Sequence, residues 1–176
     1  IWLPIYFNGW YFKKIKNRGA IITCNHFHPF DNYAVLKAIE KELKGQPLYK
    51  VIREGNYTNF PGLYGYFFKH CNTLPLSGNY NVMKEFLSGI EYHLKQKRKI
   101  LIYPEQAMWF NYKKPRPLKP GAFNFAASYK VPVLPIFITM EDTDKLDSNG
   151  YKIQAYTLWF LPPIYKDEKL SLKENV

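Results

Sequence analysis

The chain has little cysteine, little acid and no long apolar run. Two cysteines in 176 residues, Cys24 and Cys71, are too few for a disulfide scaffold, and a reducing compartment suits them better than a bridge. Fourteen Asp and Glu stand against 25 Lys and Arg, a formal net charge of +11. That imbalance points to anionic partners: phospholipid surfaces, nucleic acids, acidic carrier proteins or phosphorylated small molecules. No stretch reaches the ~20 apolar residues that a membrane-spanning helix needs. The longest apolar run, Val131 to Met140, contains Pro132 and Pro135 and reads as a buried strand. Low complexity is absent too. With 47% hydrophobic and 22% charged residues, a disordered tail, a collagen and a linker are excluded in favour of one folded domain.

Aromatic residues are abundant, at 18% of the chain. The opening segment holds Trp2, Tyr6, Phe7, Trp10, Tyr11 and Phe12, followed by Lys13, Lys14, Lys16 and Arg18. An aromatic belt followed by cations is what a membrane interface favours, so residues 1–19 are read as an interfacial segment before a domain spanning 20–176. A helix packed on the core is the equal alternative. A secretory signal is excluded, because the cations follow the apolar stretch and no small-residue cleavage site is present. The first residue is Ile1 rather than Met, which leads us to expect a further segment upstream.

Strand and helix signals alternate along the rest. Ala20 to Cys24 reads as a buried strand, Leu48 to Ile52 as a second, Leu74 to Leu76 as a short one and Ile100 to Tyr103 as a fourth. Asp31 is placed to cap a helix running to Leu43, with Gly45 just beyond. Pro61 to Cys71 reads as a short helix. Val82, Phe86, Ile90 and Leu94 recur every fourth position between Asn81 and Lys97, the mark of an amphipathic helix. A basic, proline-rich loop from Pro104 to Pro120 precedes a helix over Gly121 to Lys130. Two strands, Val131 to Met140 and Tyr151 to Phe160, then follow, joined through the polar stretch 141–150. This order predicts a single α/β domain with a mixed, mostly parallel central sheet flanked by helices, the last two strands forming an antiparallel edge.

The densest chemistry lies in Asn25-His26-Phe27-His28-Pro29-Phe30-Asp31, where a strand gives way to a helix. Open α/β sheets present ligand-binding groups at such ends. On a continuous helix His26 and Asp31 would lie ~140° apart, but Pro29 disfavours helix at His28 and allows a bend that brings the two together. An Asp that accepts the proton of one imidazole nitrogen leaves the other free to act as a base. The plainer reading keeps Asp31 as a cap and His26 as a surface histidine. A metal reading of His26, His28 and Asp31 competes, since two imidazoles and a carboxylate suit a hydrolytic metal. Against it, the acid falls one place late for the His-x-His-x-Asp-His pattern of metallo-β-lactamases, and Asn32 stands where its next histidine should be. No Gly-x-Ser-x-Gly elbow occurs, so a serine hydrolase is excluded.

Four motifs in order resemble the glycerolipid acyltransferases typified by lysophosphatidate acyltransferase. Asn25 to Asp31 matches Asn-His-x-x-x-x-Asp; Pro104-Glu105 retains the start of a Pro-Glu-Gly-Thr-Arg block; Lys119-Pro120-Gly121-Ala122 matches Lys-x-Gly-Ala; and Val131-Pro132-Val133-Leu134-Pro135 matches Val-Pro-(Val/Ile)-x-Pro. Pro61-Gly62 through Leu74-Pro75-Leu76 sits where the second motif belongs, and the resemblance runs from about Ala20 to Met140. It implies the glycerol-phosphate acyltransferase fold and transfer of a fatty acyl group from a thioester, acyl-CoA or acyl carrier protein, to a hydroxyl of a lysophospholipid-like or polyol acceptor. In that reading His26 is the base, Asp31 orients it, and Glu105 holds the acceptor with help from Asn25. No acyl-enzyme, metal or cofactor beyond the thioester is expected.

The departures bear on the acceptor. The family's second and third motifs usually contain arginines suited to a phosphate. Here Ser77 or Gly78 and Met108 occupy those places, and Gln106 replaces the glycine after Glu105. Lys113, Lys114, Arg116 and Lys119 on the neighbouring loop are the alternative cations for substrate. The expected setting is the cytoplasmic face of an anionic membrane, held peripherally or by an upstream anchor. A catalytically inactive lipid-binding relative remains the main rival. A nucleic-acid partner is disfavoured, because the aromatics follow buried periodicities and no recognition motif occurs.

Overall fold

The computed structural model describes residues 5–7 and 10–176, with residues 5–7 as backbone alone. Along the chain come β1 (Ile5–Phe7), α1 (Trp10–Lys13), β2 (Ala20–Cys24), α2 (Asp31–Leu43), β3 (Leu48–Arg53), α3 (Glu54–Asn59), α4 (Gly62–His70), β4 (Thr73–Leu76), α5 (Tyr80–Lys95), β5 (Lys99–Ile102), α6 (Gly121–Ser128), β6 (Val133–Leu146) and β7 (Lys152–Phe160). Among the described residues, seven strands form one sheet in the order β1-β7-β6-β2-β5-β3-β4. All neighbours are parallel except β6 and β7. The mixed, mostly parallel α/β architecture is the one expected.

Both faces of the central strands are buried, as parallel sheets require. Every residue of β2 and β5 is buried. The pleat sends alternate residues to opposite sides. Ile22 and its register partners Leu101 and Leu134 enter a core with Val35 and Ile39 of α2, whereas Ile21, Ile100 and Val133 meet Phe86, Ile90 and Leu94 of α5 and Ala122 and Ala126 of α6. Helix α5 starts at Asn79, whose side-chain oxygen accepts from Asn81 N–H and Val82 N–H. The four-residue recurrence seen in the sequence is its buried stripe.

Several details depart from the sequence reading. Asp31 is the first residue of α2 rather than its cap; Phe30 holds the cap position with no side-chain bond, because the Asp31 carboxylate turns back into the preceding loop. Helix α3 is not foreshadowed by any apolar periodicity, and none of its residues is buried. Strand β6 continues to Leu146 through polar residues, paired as Glu141 with Ala155 and Asp142 with Gln154. That ribbon projects into solvent, where neither face needs apolar side chains. Strand β7 is not an edge: β1 pairs parallel with it, Ile5 opposite Tyr156. Of the expected aromatic belt, Trp2 and the side chains of Tyr6 and Phe7 lie outside the described residues. Trp10 is exposed under Lys14, while Phe12 and Ile15 are buried in the core.

Candidate active site

Helix α2 leaves the carboxyl end of β2 over one face of the sheet, and α6 leaves the carboxyl side of the neighbouring β5 over the other. The crevice between those two strand ends is a topological switch point, where open α/β sheets bind ligands. The loop 25–30 and the segment from Tyr103 meet there.

The His26 Nδ1 lies 2.9 Å from Asp31 Oδ2. The same oxygen accepts from Phe27 N–H at 2.8 Å and His28 N–H at 2.9 Å. A carboxylate anchored by two backbone donors cannot swing away, so it fixes the imidazole and favours the tautomer with the proton on Nδ1. Asp31 is 2% exposed, at the N-terminal end of a thirteen-residue helix whose dipole favours negative charge. The His26 ring stacks on Tyr103, centroids 4.0 Å apart and planes at 19°. The Tyr103 hydroxyl donates to Asn32 Oδ1 at 3.1 Å. Burial first, and then the nearby Cys24 and Asp31, push that hydroxyl well above the ordinary tyrosine value, so it stays neutral. His26 remains partly accessible, and its Nε2 makes no hydrogen bond among the described residues.

Glu105 and Asn25 tie the site loop to neighbouring segments. Glu105 is buried, and its oxygens accept from His26 N–H at 3.3 Å and Arg116 N–H at 3.4 Å. Both thus join the two loops, and each carboxylate oxygen keeps a further lone pair. Asn25 donates Nδ2 to Ile138 O at 2.9 Å and accepts from Ile138 N–H at 2.8 Å, a backbone-like pair that ties the loop to β6. Neither spacing nor composition carried these backbone contacts, which link residues 79 and 113 positions apart.

The loop cations are dispersed. Lys113 pairs with Asp142 at 3.0 Å. The Arg116 guanidinium donates to Ala107 O at 2.8 Å and lies 4.0 Å from the Trp109 ring centroid. Lys119 donates its backbone N–H to Pro104 O, and Lys114 is exposed. Arg53, which the sequence reading missed, donates to Gln106 O at 3.0 Å from the end of β3. Gln106 takes φ of +57°, the left-handed region that glycine tolerates best.

The rival chemistries fit less well. His28 Nδ1 accepts from Phe30 N–H at 3.1 Å, and burial lowers its pKa against the pull of Asp31. No group of three His, Cys, Asp or Glu side chains among the described residues is placed to hold a metal ion. Cys24 lies beside the site, but burial, with Asp31 and Glu105, pushes its thiol well up and keeps it protonated.

A family model described as Acyltransferase matches residues 11–139, well over half of the chain. Among solved structures, the chain is similar to the 1-acyl-sn-glycerophosphate (LPA) acyltransferase PlsC from Thermotoga maritima, with a TM-score of 0.63 and 18% identity. The match covers 98% of this chain and 68% of that one, and at such identity it speaks for the fold. No curated protein matches the chain. A glycerolipid-acyltransferase motif order, a switch-point crevice holding the first of those motifs, and a family match spanning both agree: the chain belongs to the acyltransferase family.

Proposed function

We propose that this chain transfers a fatty acyl group from a thioester, acyl-CoA or acyl carrier protein, to a hydroxyl of a lysophospholipid-like or polyol acceptor. The observation that carries the reading is the His26 Nδ1–Asp31 Oδ2 contact of 2.9 Å, which leaves Nε2 without a partner among the described residues. In the reaction Nε2 takes the acceptor hydroxyl proton as the oxygen attacks the thioester carbonyl. The tetrahedral intermediate collapses, the C–S bond breaks, and the imidazolium returns its proton to the departing sulfur. Asp31 stabilises that imidazolium. Glu105 and Asn25 act as positioning residues that hold the His26 loop against the neighbouring strands.

Holding two substrates in register supplies much of the rate advantage. Few reacting groups are then needed. A base of this kind contributes about 10²–10⁴-fold. The test offers acyl-CoA and acyl-carrier thioesters with phosphorylated and unphosphorylated acceptors and reads products by mass spectrometry. His26→Ala is expected to lower transfer by that factor with its circular dichroism unchanged. Equal transfer by wild type and variant would remove the base assignment, and a wild type inactive on the whole panel would favour a lipid-binding relative.

A further inference from the structure

His28 takes no part in the reaction as drawn, yet its ring is held in place. Its backbone N–H donates to Asp31 Oδ2 at 2.9 Å, and its Nδ1 accepts from Phe30 N–H at 3.1 Å. A neutral imidazole nitrogen that accepts cannot also carry the proton, so this bond assigns the proton to Nε2. Burial lowers the His28 pKa against the pull of Asp31 and keeps the ring uncharged. Nε2–H makes no hydrogen bond among the described residues. Around the ring stand Phe30 at 5.5 Å, Phe110 at 5.4 Å and Tyr156 at 6.2 Å between centroids.

Tyr156 supplies a second donor. It pairs with Met140 on β6, four residues beyond Ile136, the partner of Cys24 at the end of β2. It therefore belongs to the carboxyl end of the sheet, beside the site. The residue is 4% exposed and its ring packs on Phe27 at 5.5 Å, but its hydroxyl has no partner among the described residues and is not sealed from solvent. Burial, and then Asp31, push the phenol up to about 12, so it too stays neutral and able to donate. Polar groups on buried side chains are nearly always hydrogen-bonded. Here two uncharged donors on one aromatic surface lack a partner.

The charge that both rings feel is the Asp31 carboxylate. It repels a phosphate or carboxylate and leaves an uncharged oxygen as the fitting ligand. An amide carbonyl offers two lone pairs to two donors. Acyl-CoA and acyl carrier proteins share such a group, the uncharged pantetheine arm with its amides, next to the thioester. A lysophospholipid instead brings its ionised headgroup within a few bonds of its ester. We infer that His28 Nε2–H and Tyr156 O–H bind an amide carbonyl of the donor's pantetheine arm, with the exposed rings of Phe30 and Phe110 flanking it. The role of the arm rests on the acyl-transfer reading, but its binding is measured without turnover.

The probe is S-dodecyl-pantetheine, a thioether that cannot transfer its chain, titrated calorimetrically into the full chain. Tyr156→Phe removes only a hydroxyl without a protein partner, so its urea midpoint should match wild type. His28→Asn keeps an oxygen that can accept from Phe30 N–H and loses the Nε2 donor. Each variant should bind the probe about 3–10-fold more weakly, the worth of one neutral hydrogen bond. In steady state each should raise the KM for acyl-CoA by the same factor, with kcat and the acceptor KM unchanged. S-dodecyl-thioglycerol, which has no amide, should bind wild type and variants alike. The inference is overturned by a wild type that does not bind the pantetheine probe, by unchanged binding in both variants, or by equal loss for the amide-free probe. A rise in acceptor KM alone also overturns it. Transfer that depends on His26 but shows an unaltered donor KM in both variants sinks this inference and spares the enzymatic reading. Probe binding weakened by both variants, with no transfer on the product panel, does the reverse.

Discussion

Replacing Asp31 by Asn separates two duties that one oxygen performs. Asp31 Oδ2 receives His26 Nδ1, Phe27 N–H and His28 N–H within 2.8–2.9 Å. The two backbone donors should pin the amide oxygen of Asn in the same place, so the imidazole keeps its tautomer and its orientation. What disappears is the negative charge beside the imidazolium that the proposed proton abstraction would form. Two unit charges about 4 Å apart at an effective dielectric of about 20 interact by about 4 kcal/mol, equivalent to roughly 10³ in rate at ~1.4 kcal/mol per tenfold. Part of that is already spent in the neutral pair as a hydrogen bond, so a fall of about 10²–10³ in kcat is expected, with KM little changed. The folded state should lose about 1–3 kcal/mol, as charge-assisted bonds become neutral ones. Steady-state thiol release gives kcat and KM, and urea unfolding gives the stability. A variant that folds normally and turns over within about fivefold of wild type would show that the carboxylate charge takes no part in the reaction.

Other outcomes follow from the surrounding contacts. Tyr103→Leu removes the ring stacked on His26 and should lower kcat about 2–10-fold, the worth of an aromatic pair; Tyr103→Phe keeps the stack and should stay near wild type in the same assay. Asn25→Ala orphans both backbone groups of Ile138 and should cost about 2–4 kcal/mol in urea unfolding, and an unchanged midpoint would contradict the bridging role. Gln106→Gly relieves a left-handed backbone and should stabilise the fold by about 0.5–1 kcal/mol. A lower melting temperature would count against that strain.

Much of the frame was legible in local patterns. Strands β2 and β5 appeared as short apolar runs because both of their faces are covered, and α5 appeared through the spacing of Phe86, Ile90 and Leu94 because it buries one stripe. Helix α3 left no trace, since it buries nothing. The last six residues of β6 were hidden by their polarity; they are held by backbone pairing with β7, which is indifferent to side chains. The pairing of β1 with β7 joins positions about 150 residues apart, beyond the reach of any periodicity.

At the site, the order and spacing of residues by themselves determined that His26 and Asp31 stand at the end of a buried strand, and the motif order identified the family. Those are matters of short-range geometry and residue identity. Tertiary structure alone decided that Asp31 turns back to the loop instead of capping α2, that Tyr103 lies under the imidazole, and that Glu105 and Asn25 reach backbone groups far along the chain. The reason is that a buried polar group must bond to whatever donors and acceptors the fold brings beside it, and those partners are neighbours across strands rather than along the chain.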